Sequence, residues 1–345
     1  MKIGFVINDF EREKPGYTTT RLALEAMRRG HEVRYVPVTR FSRGSDDRLG
    51  AHASFVPPDA IDGPDEMLEA VRQAPARRGA LDDLDVLMLR NDPADDFPDR
   101  PWARLAPLNF ARFAMEAGVL VLNDPDGLLR NVNKLSLEHY PQAIRPRSLI
   151  SRDIDEIMSF CADHPGGSVL KPLAGSGGRK VFFVREEDHP NLKQIIRAIL
   201  NDGYLLAQEV VPEAAEGDVR VMLMNGDMLE VGGKAALMRR RPAEGETRSN
   251  IRQGATAEKV EVSDAIRSIV EQLRPRIVAD GLFLVGIDVA GSKLLEVNVF
   301  SPGGLGSIHR VVGVDFAPAI IDSMERKVRH RQSGYPWPNA FLNTI

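Results

Sequence analysis

Three oxygen-bearing side chains, Asp288, Glu296 and Asn298, lie close together near the end of the sequence. They fall on two predicted strands, GLFLVGIDVAG and KLLEVNVF, which are joined by a turn at residues 291–293. Side chains two positions apart project from one face of a strand, so Glu296 and Asn298 share a face. A three-residue hairpin loop would place Asp288 opposite Glu296, with their Cβ atoms ~5 Å apart.

These three side chains match the chemistry of a magnesium site. Mg²⁺ prefers oxygen ligands, and it is commonly held by one or two carboxylates together with substrate phosphates. A divalent cation would also remove the cost of ionising carboxylates in an apolar sheet. The alternative is a solvated hairpin face without an ion, which the apolar flanking residues disfavour.

A glycine-rich loop provides a second candidate site. In LKPLAGSGGRKVFFV, Lys171 lies within a predicted strand, and the residues before the next strand include Gly175, Ser176, Gly177 and Gly178. Glycines allow backbone N–H groups to approach phosphate oxygens. A Walker A loop or a dinucleotide fingerprint would require a helix after the glycines, and a strand follows here. By itself, this pattern is equally typical of a structural hairpin.

A third group is basic. It comprises Lys134 in RNVNKLSLEH, Arg220 in EGDVRVML, and Arg239, Arg240, Arg241 and Arg248 in MRRRPAEGETRSN. Charge runs are usually solvated surface, but a loop carrying several guanidinium groups can also neutralise phosphate and carboxylate charge. The seven histidines show no metal-ligand spacing, and only His309, just beyond the acidic hairpin, is a residue to watch.

The elements around these residues predict an α/β protein that is α+β in part. In the first unit we predict strands at 3–8, 31–38, 84–90 and 119–124, a helix at 18–30 capped by one of its first threonines, and long loops at 41–63 and 92–104. In the second unit we predict helices at 133–138, from Asp153 and at 190–202, a hairpin at 168–185 and a strand at 204–211. In the third we predict strands within 218–239 that turn at Asn225, and a helix at 263–280. Cys161 continues the apolar spacing of its helix, which predicts a core residue and not a catalytic thiol.

Composition excludes several classes of protein. The 345 residues carry 45 Lys and Arg against 49 Asp and Glu, so no basic surplus indicates a nucleic-acid partner. A single cysteine excludes an internal disulfide framework and a Cys-based zinc site. We find neither a signal peptide nor an apolar stretch of ~18 residues, and therefore expect a soluble, cytoplasmic protein with no membrane partner.

Taken in order, these motifs resemble the ATP-grasp superfamily and, within it, the prokaryotic glutathione synthetases. The resemblance covers most of the chain and is carried by KIGFVIND, VLMLRNDP, VLNDPDGLLRNVNKL, LKPLAGSGG, AQEVVPEAAEGDVRV, RPAEGETRSN, GLFLVGIDV and LLEVNVFSP. It implies an ATP-grasp fold in which two antiparallel-sheet domains enclose the nucleotide. The implied units are an N-terminal open α/β domain (1–127), a central lid domain (128–206), a catalytic domain (207–330) and a surface tail (331–345).

The resemblance also implies roles for individual residues. Lys134 and Lys171 would contact the ATP phosphates, and the glycine loop at 175–178 would cover them. The segment beside the adenine would be Gln208, Glu209, Val210 and Val211, with Asp218 near the ribose or the metals. The metal ligands would be Asp288, Glu296 and Asn298, with Glu296 bridging two Mg²⁺ ions and Mn²⁺ as an alternative. The acceptor carboxylate and the reaction centre would be handled by Arg220, Arg240, Arg248, Asn250 and Ser301.

The implied activity is an ATP-dependent carboxylate–amine ligase that acts through an acyl phosphate. Our first hypothesis is synthesis of glutathione from γ-glutamylcysteine and glycine. A ligase with another amine, and a non-catalytic ATP-binding protein of the same fold, are the alternatives. Two stretches that line the family's acceptor pocket, KPGYTTT and SPGGLGSIHRVVGVDF, depart from the family pattern, so ATP and metal chemistry are better supported than the substrates. The segment 239–257 is expected to close over the site, and a homo-oligomer is left open.

Overall fold

A computed structural model describes residues 1–55, 63–96, 99–173, 180–242 and 254–345. Its elements form three sheets of four or more strands and one separate two-stranded pair. No helix within these ranges is long and apolar enough to cross a membrane.

The first sheet combines parallel and antiparallel strands. Its strands are β1 (Lys2–Ile7), β2 (Glu32–Pro37), β3 (Phe41–Arg43), β4 (Leu49–Phe55), β5 (Arg77–Ala80), β6 (Val86–Leu89) and β7 (Leu120–Leu122). They lie in the order β3-β4-β2-β1-β6-β7, with β5 paired to β4. The parallel strands β1, β6 and β7 are the apolar runs that the sequence predicts, because strands covered on both faces are apolar throughout. The strand predicted from the alternating pattern of HEVRYVPV is β2, and all of its residues after Glu32 are buried. The prediction of a loop over 41–63 is wrong, since β3 and β4 pair within it.

Four helices accompany this sheet, namely α1 (Thr18–Arg28), α2 (Pro64–Gln73), α3 (Ala106–Glu116) and α4 (Pro125–Arg130). The helix predicted at 18–30 is confirmed, but its predicted cap is wrong. Tyr17 occupies the N-cap position without a side-chain hydrogen bond, and the three threonines lie inside the helix with buried side chains. The predicted domain boundary at residue 127 falls within α4.

The second sheet belongs to the central domain. Its elements are β8 (Ser148–Ser151), α5 (Ile154–Ala162), β9 (Ser168–Pro172), β10 (Phe182–Val184), α6 (His189–Leu200) and β11 (Leu205–Glu209), with antiparallel strands in the order β10-β9-β11-β8. Asp153 caps α5 through the N–H groups of Asp155 and Glu156, as predicted. Cys161 is buried in the core of this domain, also as predicted. Because β11 pairs with both β8 and β9, the predicted boundary at 206 falls inside a strand of this sheet.

The third sheet carries most of the candidate metal and acceptor residues. Its region contains β12 (Asp218–Met224), β13 (Asp227–Met228), β14 (Glu230–Val231), β15 (Lys234–Ala235), β16 (Leu237–Arg241), β17 (Thr256–Glu258), α7 (Asp264–Ala279), β18 (Leu284–Ala290), β19 (Lys293–Asn298), α8 (Leu305–Val312), α9 (Ala317–Gln332) and α10 (Asn339–Leu342). The strands lie in the order β17-β16-β12-β18-β19, all antiparallel, with β13 paired to β12 and β14 to β15. Asn225 and Gly226 both have positive φ, as the two-residue turn between β12 and β13 requires.

Two hydrophobic clusters among the described residues join the first and third sheets, and one of them shows how the domains pack. It contains Phe5 of β1, Leu22 of α1, Met222 of β12 and Ile320 of α9, all of them inaccessible to solvent. The central domain has a separate core, which includes Leu170 and Ile196. The N-terminal and catalytic parts are therefore packed against each other. The second sheet has its own core, whereas Leu137, Tyr140 and Ile144, at the start of the central domain, belong to a core shared with the other two sheets.

The end of the chain packs against the edge of the first sheet. Asn339 accepts a hydrogen bond from the Val121 N–H and donates one to the Val121 carbonyl, and Asn343 donates to the same carbonyl. Leu342 is fully buried. The predicted surface tail is therefore wrong for these last residues, because side-chain amides provide the hydrogen bonds that the edge strand β7 lacks.

Candidate functional site

The hairpin of β18 and β19 brings the predicted metal ligands together. Asp288 lies directly opposite Glu296, which confirms the predicted register. The route differs from the prediction, because the turn has two residues, Gly291 and Ser292, and Ala290 faces Lys293. Between the pairs Val289–Leu294 and Asp288–Glu296, β19 contains one more residue than β18. This bulge brings Glu296 opposite Asp288, as a three-residue loop without a bulge would also do.

Asp288 is buried, with 3% of its surface exposed, and two arginines surround it. Arg220, directly opposite on β12, donates from Nε and Nη2 to the two carboxylate oxygens at 2.5 and 2.9 Å. The Nη2 of Arg240 lies 2.9 Å from Oδ2. Burial alone would raise the pKa of Asp288, but the two guanidinium groups outweigh it and lower the pKa to about 2.

Arg240 also binds a second acid. Its Nε donates to Asp218 at 2.6 Å, across the pair of strands β12 and β16 in which the two residues are direct neighbours. The four buried groups therefore form a chain of alternating charge from Asp218 through Arg240 and Asp288 to Arg220. Its formal charges sum to zero.

Glu296 and Asn298 lie on the more open side of Asp288. Asn298 Nδ2 is 3.4 Å from Asp288 Oδ2, and the Glu296 side chain is 39% exposed, with Oε1 at 3.9 Å from Lys134 Nζ. Within the described ranges, no three His, Cys, Asp or Glu side chains form a group that could hold a metal ion. A magnesium ion here would use two carboxylates, an amide oxygen and further oxygens from phosphate, a donor set that suits this metal.

Two lysines face this acidic hairpin from the other side. Lys171 lies on β9 next to Leu206 of β11, and Lys134 begins the short 3₁₀ helix that the sequence predicts as a helix at 133–138. Burial lowers the pKa of Lys171 to about 8, although the charge of Glu296 opposes the shift. Both lysines line a cavity of about 110 Å³ together with Glu296, Asn298 and Ser301.

A second cavity, of about 720 Å³, lies between the N-terminal domain and the third sheet. Arg220 and Arg240 line it from the sheet, and residues of the 11–19 segment line it from the N-terminal domain. Asp92, Asn298 and Ser301 line both cavities. The two cavities therefore meet beside the acidic hairpin, with lysines on one side and arginines on the other.

The segment predicted to lie beside the adenine follows the end of the second sheet. Gln208 is buried, and its Nε2 has no hydrogen-bond partner among the described residues. Glu209 accepts a hydrogen bond from the Arg147 N–H, and the Val210 N–H donates to the Gly167 carbonyl. Val211 is buried. No described contact tests whether this segment binds adenine, so that assignment stays a prediction.

Several predicted residues lie outside the described part of the chain. These are Gly175, Ser176, Gly177, Gly178, Arg248 and Asn250, together with most of the segment expected to close over the site. His309 is on α8 and lines neither cavity.

Sequence reasoning missed Arg90, which lies just beyond β6 in the wall of the second cavity. The signal that could have found it is a single arginine at the end of the apolar run LDVLML, where a buried charge needs an explanation.

Comparison with known proteins identifies two matching family models. Residues 1–129 match the model described as prokaryotic glutathione synthetase, N-terminal domain, and residues 133–313 match its ATP-grasp domain. A glutathione synthetase from Bradyrhizobium diazoefficiens is 33% identical over 314 residues, which cover 90% of this chain and 93% of that protein. One from Vibrio parahaemolyticus is 31% identical over 310 residues, covering 89% and 92%.

Solved structures agree on the fold. The D-cycloserine synthetase DcsG superposes with a TM-score of 0.60 at 13% identity, covering 93% of this chain and 99% of that one. The D-alanyl-alanine synthetase A of Vibrio cholerae gives 0.57 at 14% identity, covering 95% and 98%. At such low sequence identities, structural similarity is evidence for the fold only. Together with the family models, it confirms the predicted ATP-grasp architecture.

Proposed function

This chain belongs to the prokaryotic glutathione synthetase family, and from that membership we propose that it joins the carboxylate of γ-glutamylcysteine to the amine of glycine. It is an ATP-dependent C–N ligase, and its family uses ATP and a divalent metal. The finer proposals concern its substrates, the number of metal ions and the residues that act.

The observation that carries the proposal is the meeting of two cavities at Asn298 and Ser301. The first cavity presents Lys134 and Lys171, which suit the phosphates of a nucleotide. The second presents Arg220 and Arg240, which suit a carboxylate substrate. A phosphoryl group held on one side and a carboxylate held on the other would come into contact where the cavities join.

For the nucleotide side, we assign Lys134 and Lys171 to the phosphates and the segment 208–211 to the adenine. Asp288, Glu296 and Asn298 would hold two Mg²⁺ ions, or Mn²⁺, with Glu296 between them. Bound divalent cations neutralise phosphate charge during phosphoryl transfer. The glycine loop at 175–178, Arg248 and Asn250 keep the roles that the resemblance implies.

The chemistry proceeds in two steps. A carboxylate oxygen of the dipeptide forms a bond to the γ-phosphorus as the bond to ADP breaks, which leaves an acyl phosphate. The glycine amine then attacks the acyl carbon, loses a proton, and inorganic phosphate departs with its bonding electron pair. Both steps gather negative charge next to Arg220 and Arg240, whose fixed positions stabilise it. If the segment 239–257 closes over the two cavities, as the resemblance implies, it would keep water away from the acyl phosphate.

Phosphate release tests the substrates directly. With Mg²⁺-ATP, release should rise sharply only when γ-glutamylcysteine and glycine are both present, and each substrate alone serves as a control. If this pair gives no stimulation while another carboxylate–amine pair does, the alternative ligase is correct. The specific reason to keep that alternative is that both departures from the family pattern, around Tyr17 and around Gly303, line the second cavity.

Cytoplasmic location is part of the proposal. The reaction uses ATP, and the single cysteine, Cys161, is a free thiol in the core, as suits a reducing compartment.

A further inference from the structure

Asn123 is a buried amide directly after β7, with 3% of its surface exposed, and it reaches from the first sheet to the third. Its Oδ1 accepts a hydrogen bond from the Leu284 N–H at 2.8 Å. Its Nδ2 donates to the carbonyls of Leu284 and Val299 at 3.0 and 2.7 Å. A flipped amide would place N–H against N–H and oxygen against two carbonyls, so these contacts fix its orientation.

The partners of Asn123 lie where the acidic hairpin stops pairing. The pairing of β18 with β19 ends at Gly286 and Asn298. Leu284 is the first residue of β18, and Val299 directly follows the last residue of β19. The amide therefore supplies hydrogen bonds at a point where the two strands no longer bond to each other, and it closes the open end of the hairpin.

This end of the hairpin leads to two residues that line both cavities, Asn298 and Ser301. Asn298, which we assign to the metal, directly precedes Val299, and Ser301 follows Val299 by two positions. The Val299 side chain is buried in the core. A hydrogen bond to the Val299 carbonyl therefore fixes the backbone between the metal ligand and the point where the cavities meet.

We propose that Asn123 is a positioning residue for the metal site, which holds Asn298 and Ser301 in place from the N-terminal domain. This inference rests on the proposed function, in which Asn298 is a metal ligand. Asn123 itself lines neither cavity. Removing a residue that orients a metal ligand typically costs roughly 10- to 100-fold in metal affinity or activity. Because Asn123 acts on Asn298 through the backbone, we expect the lower end of that range.

The test measures metal binding without turnover. Free Mn²⁺ gives an electron paramagnetic resonance signal that falls when the ion binds, so a titration in the presence of ADP gives its affinity. Asn123→Ala should weaken Mn²⁺ binding about tenfold, and it should lower kcat for phosphate release with Mg²⁺ by a similar factor. The affinity for ADP in EDTA should not change, because Lys134 and Lys171 belong to other elements.

Asn339→Ala is the matched control. Asn339 is also buried, and it makes three hydrogen bonds of 2.9 to 3.0 Å, to the N–H and carbonyl of Val121 and to Asp124 Oδ2. It lines neither cavity. Both variants leave buried polar groups unpaired, so their melting temperatures should fall by similar amounts. Only Asn123→Ala should also lose affinity for Mn²⁺.

A further measurement needs no variant. Coupling between two sites is reciprocal, so if the Asn123 contacts strengthen metal binding, the metal must strengthen those contacts. Adding Mg²⁺ to the wild-type complex with ADP should therefore slow hydrogen exchange at the Leu284 N–H, which Asn123 accepts. The Val121 N–H, which Asn339 accepts, should slow less, and equal slowing at both would overturn the proposal.

The two proposals fail in different ways. A wild-type protein that does not bind Mn²⁺ in the presence of ADP refutes the metal assignment within the proposed function. A wild-type protein that binds Mn²⁺, with an Asn123→Ala variant that binds it equally well, refutes the positioning role alone. An equal loss of Mn²⁺ affinity in Asn339→Ala refutes it too, because a general loss of stability would then explain both variants.

Discussion

Lys171 should make nucleotide affinity depend on pH. In the free protein its pKa is about 8, because burial disfavours the charged form. Phosphate oxygens beside the ammonium group would favour that form and return the pKa to its ordinary value of 10.5 or above. Above pH 8, binding must then take up a proton, so affinity should fall as the pH rises. Below pH 8 the lysine is charged in both states and contributes no pH dependence.

The magnitude follows from the two pKa values. The difference between 10.5 and 8 is 2.5 units, so affinity should fall tenfold per pH unit and by at most about 300-fold in total. Lys171 is partly exposed, and solvent screening makes this figure an upper limit. A loss of ten- to thirtyfold between pH 8 and pH 9.5 is the practical expectation.

Calorimetric titration with ADP measures this effect. EDTA in the buffer keeps divalent cations away from the phosphates, and the nucleotide itself does not titrate in this range. The matched control is Lys171→Arg, which stays charged throughout and should give a flat profile over the same interval. A wild-type affinity that is constant from pH 7.5 to pH 9.5, or an equal slope in Lys171→Arg, would refute the assignment of Lys171 to the phosphates.

Two further substitutions test the acidic hairpin. Glu296→Gln should abolish ATP turnover with little change in melting temperature, since the Glu296 side chain is 39% exposed. ATP consumption at near the wild-type rate would reject the metal assignment. Asp288→Asn should lower the free energy of unfolding in urea by about 3 kcal/mol, because Arg220 would stay buried without its carboxylate partner and Arg240 would keep only Asp218. The control Asp322→Asn, at an exposed ion pair, should change it by less than about 1 kcal/mol. Because the pKa of Asp288 is lowered, its ion pairs stabilise the fold above the ordinary pKa of 3.8, and this stabilisation is lost as the pH falls toward 2. The difference in unfolding free energy between the wild type and Asp288→Asn should therefore become smaller in acid. A difference that does not change with pH would contradict the pairing.

The acidic hairpin was predictable because it depends on local rules. A period of two along β19 places Glu296 and Asn298 on one face, and an adjacent hairpin partner leaves few possible registers for Asp288. A different local rule identified the parallel strands β1 and β6, since a short continuous apolar run indicates a strand buried on both faces. The two-residue turn and the bulge could not be predicted from the sequence. A three-residue loop without a bulge, and a two-residue turn with a bulge, both place Asp288 opposite Glu296.

The arginine pairs were not predictable, because they depend on strand order. Arg220 faces Asp288 only because β12 pairs with β18, and Asp218 faces Arg240 only because β12 also pairs with β16. Sixty-eight residues separate the first pair, and no local pattern specifies that contact. Strand β4, with the sequence LGAHASF, was missed for a different reason, since its small residues lack the β-branched side chains that indicate a strand.

The amides of Asn339 and Asn343 end the first sheet in a way that protects it. They occupy the N–H and the carbonyl of Val121, so that another polypeptide could not pair with these two backbone groups to extend the sheet. The same segment returns to α9, where the Lys327 ammonium donates to the Ile345 carbonyl. It thus links the border of the N-terminal sheet to a helix whose core is shared with the third sheet, and the two regions should come apart together and not one after the other.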